Sequence, residues 1–164
     1  MTAWSMQSDG EVMGIYPSIE GIDISIPDRA RNYLSQARDS LHAPSGAVML
    51  AAAAVDAMLK EKNYKTGSLY GLINQAVADH LITPDMARWA HEVRLDANDE
   101  RHVDEQATMP DEAQARKCLD FALALAQFLF VLPARVTRGL QEAEANLLQP
   151  SKISADATID SSGD

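Results

Sequence analysis

The chain reads as an all-α protein, an antiparallel bundle of five or six helices behind an extended N-terminal arm. Prolines stand where helices begin, at Pro27, Pro44, Pro84 and Pro110. A proline in the first turn gives up an N–H that has no intrahelical acceptor anyway. Apolar residues recur at three- and four-residue steps behind each of them, the period of a helix face. Period-two alternation, the mark of a half-buried strand, occurs only briefly, at Ile22, Ile24 and Ile26.

Residues 1–24 carry no helical period and are interrupted by Gly10, Gly14, Pro17 and Gly21. They predict an arm lying on the body, with the isoleucine alternation able to add a short strand. Ser25-Ile26-Pro27-Asp28 has the form of a capping box, and Ala30, Tyr33, Leu34, Ala37 and Leu41 then form one helix face. Pro44 opens a second helix running to about Lys62, whose Ala51–Ala54 tract suits close approach to neighbours. Thr66-Gly67-Ser68 breaks the chain, and Leu69, Leu72, Ile73, Ala76 and Val77 mark a third face. Thr83 caps the Pro84 helix, which presents Met86, Trp89, Ala90 and Val93. Thr108-Met109-Pro110-Asp111 is a second capping box. The helix behind it is the longest and apolar on most sides, hence central, and Pro133 is expected to end or kink it. An amphipathic segment over about Ala134–Leu148 follows. Residues 149–164, rich in Ser, Asp, Ala and Gly, are expected to form a disordered acidic tail. The helical domain is thus residues 25–148.

Composition excludes several functions. Fourteen basic residues against 24 acidic ones leave a net charge of −10, whereas bulk nucleic-acid binding needs a basic footprint. The lone cysteine, Cys118, rules out an intramolecular disulfide and a cysteine-rich zinc site. Its place in a helix near Leu119 and Ala122 predicts inert packing. The two most apolar runs, Ala47–Leu59 and Phe121–Leu132, are interrupted by Asp56 and Gln127. Both are shorter than the roughly 18–20 residues that span a bilayer. They read as core helices, and a cytoplasmic protein with no membrane partner is expected. Phosphate-binding glycine loops, a nucleophile elbow and a zinc-protease helix are absent.

Chemistry concentrates in Arg94-Leu95-Asp96-Ala97-Asn98-Asp99-Glu100-Arg101-His102. Arg94, Asn98 and His102 are the candidate catalytic residues. A guanidinium can hold phosphate oxygens through paired N–H donors, and an imidazole can move a 2′-hydroxyl proton near neutral pH. In the bland alternative Arg94 pairs with Asp96, Asp99 or a neighbouring carboxylate, and Asn98 and His102 cap a helix end. Between residues 94 and 112 stand seven acids, Asp96, Asp99, Glu100, Asp104, Glu105, Asp111 and Glu112, against two arginines; that field repels RNA and favours the bland alternative. His91 and His102 with Glu92, Asp96 and Asp104 are metal-ligand types, but their spacing matches no standard site. His42 and His80 fall near helix ends and read as structural or exposed. No metal or other cofactor is assigned.

Several segments carry a family resemblance over roughly residues 16–136: Ile15-Tyr16-Pro17, the Ala-rich helix Ala47–Leu59, Leu69-Tyr70-Gly71-Leu72-Ile73, Leu81-Ile82-Thr83-Pro84, Trp89-Ala90-His91-Glu92-Val93-Arg94 and Phe130-Val131-Leu132-Pro133. Together they resemble the bacterial family called domain of unknown function 4145, which looks like a branch of the HEPN (higher eukaryotes and prokaryotes nucleotide-binding) helical superfamily. The family's most specific element is Arg, two residues, Gly-Asn, three residues, His. Arg94, Asn98 and His102 match it, with Ala97 in place of the glycine. The N-terminal zinc ribbon of many members has no counterpart here, so zinc does not carry over.

The resemblance implies an HEPN-like bundle and a homodimer. Ribonuclease branches face two Arg-x(4–6)-His motifs across a dimer, whereas seven residues separate Arg94 from His102 here. The expected function is therefore a non-catalytic, dimeric interaction or regulatory module, linked by resemblance to bacterial phage defence or toxin–antitoxin systems. The acidic surface favours a basic protein partner. The alternative is a metal-independent ribonuclease at the dimer interface, in which Arg94 stabilises phosphate, Asn98 orients substrate and His102 is acid/base; RNA is a partner only there. A third class, an RNA mimic that blocks nucleic-acid enzymes, also fits the net charge.

Overall fold

The computed structural model describes residues 21–93, 95 and 108–149, and every regular element among them is helical. The elements are α1 (Asp28–Asp39), α2 (Pro44–Glu61), α3 (Leu69–Ala78), α4 (Pro84–Glu92), α5 (Glu112–Ala126), a five-residue π turn (Gln127–Val131) and α6 (Leu132–Leu148). From Glu112 to Leu148 the last three form one continuous helix, so the described residues form five rods.

The helix starts follow the local chemistry in most places. Pro44 and Pro84 occupy first-turn positions. Ser68 and Thr83 accept hydrogen bonds from the backbone N–H of Gly71 (3.2 Å) and Met86 (3.1 Å), satisfying donors that have no acceptor inside the helix. Two expected caps form differently. Ser25 caps nothing: its N–H (2.8 Å) and hydroxyl both donate to the Asp23 carboxylate, and α1 begins without a side-chain cap. This local loop stands where the isoleucine alternation could have added a short strand, turning the chain at residues 24–26. Ile26 is buried, while Ile24 stays 85% exposed. At α5 the cap is Asp111, which accepts from Gln114 N–H at 2.7 Å, not Thr108. A carboxylate there also meets the positive end of the helix dipole.

Pro133 does not end its helix. A proline inside a helix lacks the N–H for the i−4 carbonyl, and its ring collides with that carbonyl. The π turn one step earlier admits an extra residue, and the Leu132 N–H bonds to Gln127 O in the i→i+5 pattern. The widened turn lets the helix continue past the proline.

α5 is central, as its apolar circumference requires. It packs against α1, α2 and α4, while α1 and α2 share the most extensive contact. Ala47, Ala51 and Ala54 on α2 and Ala115, Ala122 and Ala126 on α5 are all buried; small side chains let these helices approach closely. Phe121, Leu34, Met58, Leu59, Leu72 and Ile73 fill the remaining space. No polar residue is buried among the described residues. Charged side chains instead pair along helix surfaces, as Lys60–Asp56 (2.7 Å) and Arg116–Glu112 (2.7 Å) do.

The end of α2 is tied to the end of α3. Asn63 and His80 each take the left-handed conformation that stops a helix (φ 74° and 59°). The Tyr64 hydroxyl donates to Asp79 at 3.0 Å. Desolvation, then the bond to Asp79 and its charge, raise the Tyr64 pKa. α6 behaves differently from the rest: none of its 17 residues is buried.

Candidate functional site

Arg94, Asn98 and His102 lie outside the described residues; so do Asp96, Asp99, Glu100, Asp104 and Glu105. The structure does define what leads into this stretch. α4 starts at its Thr83 cap and buries Ala87 and Ala90. Trp89 stands edge-on to Phe121 of α5, ring centroids 5.3 Å apart, a favourable aromatic geometry. His91, in the last turn of α4, lies against the ring of Tyr70 of α3 at 4.5 Å. These two aromatic contacts fix α4 between α3 and α5.

The last carbonyls of a helix have no intrahelical partner, and α4 resolves this through α5. The Val93 carbonyl accepts from Gln114 Nε2 at 2.6 Å and from the Cys118 thiol at 3.1 Å. Gln114 and Cys118 sit four residues apart, on one face of α5. Val93 is buried, and so is Leu95. Two anchored residues thus flank position 94.

Burial pushes the Cys118 thiol up to about 11, while the Gln114 contact pulls the other way. A thiol held protonated in an apolar setting is a packing group and a weak donor, not a nucleophile. Its inert role was legible from its neighbours. The role of Gln114 has no signal in the sequence: a glutamine four residues before a cysteine names no acceptor, and Val93 lies 21 positions away.

The acids split into two sets. Asp111 caps α5 and Glu112 bonds to Arg116 at 2.7 and 3.1 Å, so two of the seven carboxylates serve the helix start. His91 and Glu92 are described, but their proposed co-ligands Asp96, His102 and Asp104 are not. Among the described residues no three His, Cys, Asp or Glu side chains gather into a metal site.

These features define a small α-helical domain whose described polar groups serve caps, surface pairs and one helix-end anchor. The chain belongs to the family described as domain of unknown function (DUF4145), which matches residues 34–143. No curated protein and no solved structure matches it.

Proposed function

We propose that this protein is a non-catalytic, dimeric interaction or regulatory module of the HEPN-like type, acting in the cytoplasm of a bacterial cell. The observation that carries this reading is α6: Leu132, Val136, Leu140, Leu147 and Leu148 are 50–85% exposed on a helix with no buried residue. Contiguous exposed apolar surface of this kind belongs to association. A net charge of −10 directs the remaining surface toward a basic protein partner. A setting in phage defence or a toxin–antitoxin pair rests on family likeness alone.

One observation favours the second reading, a metal-independent ribonuclease using Arg94, Asn98 and His102. The anchored Val93 carbonyl and the buried Leu95 hold the backbone on both sides of Arg94, and a phosphate-binding arginine gains from such a support.

Incubation of the folded chain with transfer, messenger and structured RNA in EDTA separates the two. Intact RNA is the expected result. Cleavage that vanishes in His102→Ala overturns the non-catalytic reading in favour of the ribonuclease.

A further inference from the structure

α6 places Leu132, Val136, Leu140, Ala143 and Leu147 on one face. From 132 to 147 the steps are three or four residues, so the stripe follows a straight helix at about 3.6 residues per turn. The opposite side of α6 holds the one residue of this helix that is not exposed. Ala134 is half-buried there. Arg138 and Arg135 lie within electrostatic reach of the Asp23 carboxyl, which is held low first by its Ser25 bonds and then by these arginines.

The stripe is symmetric about its middle. Counting outward from the midpoint of Gly139 and Leu140, Val136 matches Ala143 and Leu132 matches Leu147. At the centre nothing lies within 4 Å of the place a Gly139 Cβ would take. An antiparallel copy of the same helix would set its Leu140 over that gap. Charge repeats the pattern, because α6 carries Arg135 and Arg138 in its first half and Glu142 and Glu144 in its second. Arg135 and Glu142, seven residues apart, share one flank of the stripe. A two-fold axis across antiparallel helices brings matching flanks together. In the register that stacks Leu132 on the partner's Leu147, Arg135 falls within about 3 Å axially of the partner's Glu142. The pair forms twice. A parallel pairing brings Arg135 beside no acid.

We infer that the exposed face of α6 pairs antiparallel with the α6 of a second copy of this chain, with Leu140 and Gly139 at the two-fold axis and Arg135 bonded to the partner's Glu142. The pairing deepens the dimeric reading above, on which it rests for the number of copies, and it commits that dimer to one surface. It also moves Leu147 onto the partner's Leu132; these residues are 85% and 50% exposed in the single chain. A helix pair of this length sits at the small end of specific interfaces, so the dimer should dissociate in the micromolar range.

The test is light scattering on the full chain at roughly 100 µM, above that dissociation constant, with circular dichroism to confirm folding. The native chain should be a dimer. Leu140→Glu should weaken association on the order of 100-fold, as for a central apolar anchor. Arg135→Glu or Glu142→Arg should each weaken it about tenfold, and the double reversal should recover to within about threefold. A monomeric native chain overturns the pairing and the dimeric reading together. A dimer that survives Leu140→Glu overturns the pairing alone, since another face then carries the contact. Single reversals that weaken a dimer the double variant fails to restore overturn the antiparallel register. Uptake of a monomeric native chain by phosphatidylcholine vesicles, lost in Leu140→Glu, overturns the pairing in favour of a lipid-seated helix.

Discussion

The anchor at the end of α4 lends itself to a double-mutant cycle. Val93 O accepts from Gln114 Nε2 at 2.6 Å and from Cys118 Sγ at 3.1 Å, in a place where Val93 and Cys118 are buried. Gln114→Ala removes one side-chain bond, a loss of about 1 kcal/mol. Cys118→Ala removes a buried sulfur and a weak donor, for about 1–1.5 kcal/mol of packing and hydrogen bonding. After either change the carbonyl keeps one donor. With both changed it keeps neither, and a buried carbonyl without a partner costs a further 1–3 kcal/mol, roughly. The double variant should therefore lose about 1 kcal/mol more than the sum of the singles. Urea denaturation followed by far-ultraviolet circular dichroism measures all three, provided the m-values agree. Amide hydrogen exchange should show faster opening at residues 92–95 in the double variant than elsewhere. Additivity within about 0.3 kcal/mol would refute the account of a shared acceptor.

Two further outcomes are expected. The Cys118 thiol has its pKa raised from 9.0 to about 11 in the fold. Unfolding therefore releases its proton at lower pH: the stabilising effect is complete below pH 9 and is lost as pH climbs toward 11, up to about 3 kcal/mol. The fall in unfolding free energy from urea titrations between pH 9 and 11 should be smaller in Cys118→Ala by that amount; equal falls would contradict the burial argument. Thr83→Ala removes the oxygen that accepts from Met86 N–H at 3.1 Å and should destabilise the protein by about 1 kcal/mol. Thr83→Ser should recover most of it, and a Thr83→Ala variant as stable as the native chain would show that the cap is idle.

The helices were legible because their signals are local. A proline at the first turn, a threonine or serine at the cap and apolar residues every three or four positions act within one or two turns, so α1 to α5 lie close to where the pattern puts them. The errors were also local signals, outcompeted by near neighbours. Ser25 turned back to Asp23, and Asp111, one residue before α5, took the role expected of Thr108. Pro133 is the sharper case. Its own chemistry says that a helix stops or kinks there, and behind the π turn at Gln127–Val131 residues 112–148 run on as one helix.

The candidate residues Arg94, Asn98 and His102 came from residue chemistry and family likeness, and the described structure reaches them only as far as Val93 and Leu95. Helix number, helix faces and the inertness of Cys118 follow from residue order, since propensity and periodicity are written along the chain. Which carbonyl receives Gln114 and Cys118, and which amphipathic helix finds no place in the core, required the packed fold. α5 and α6 each carry apolar residues at helical spacing, but α2 packs against α5 while α6 buries none of its residues, and a stripe in a sequence does not say what will lie against it.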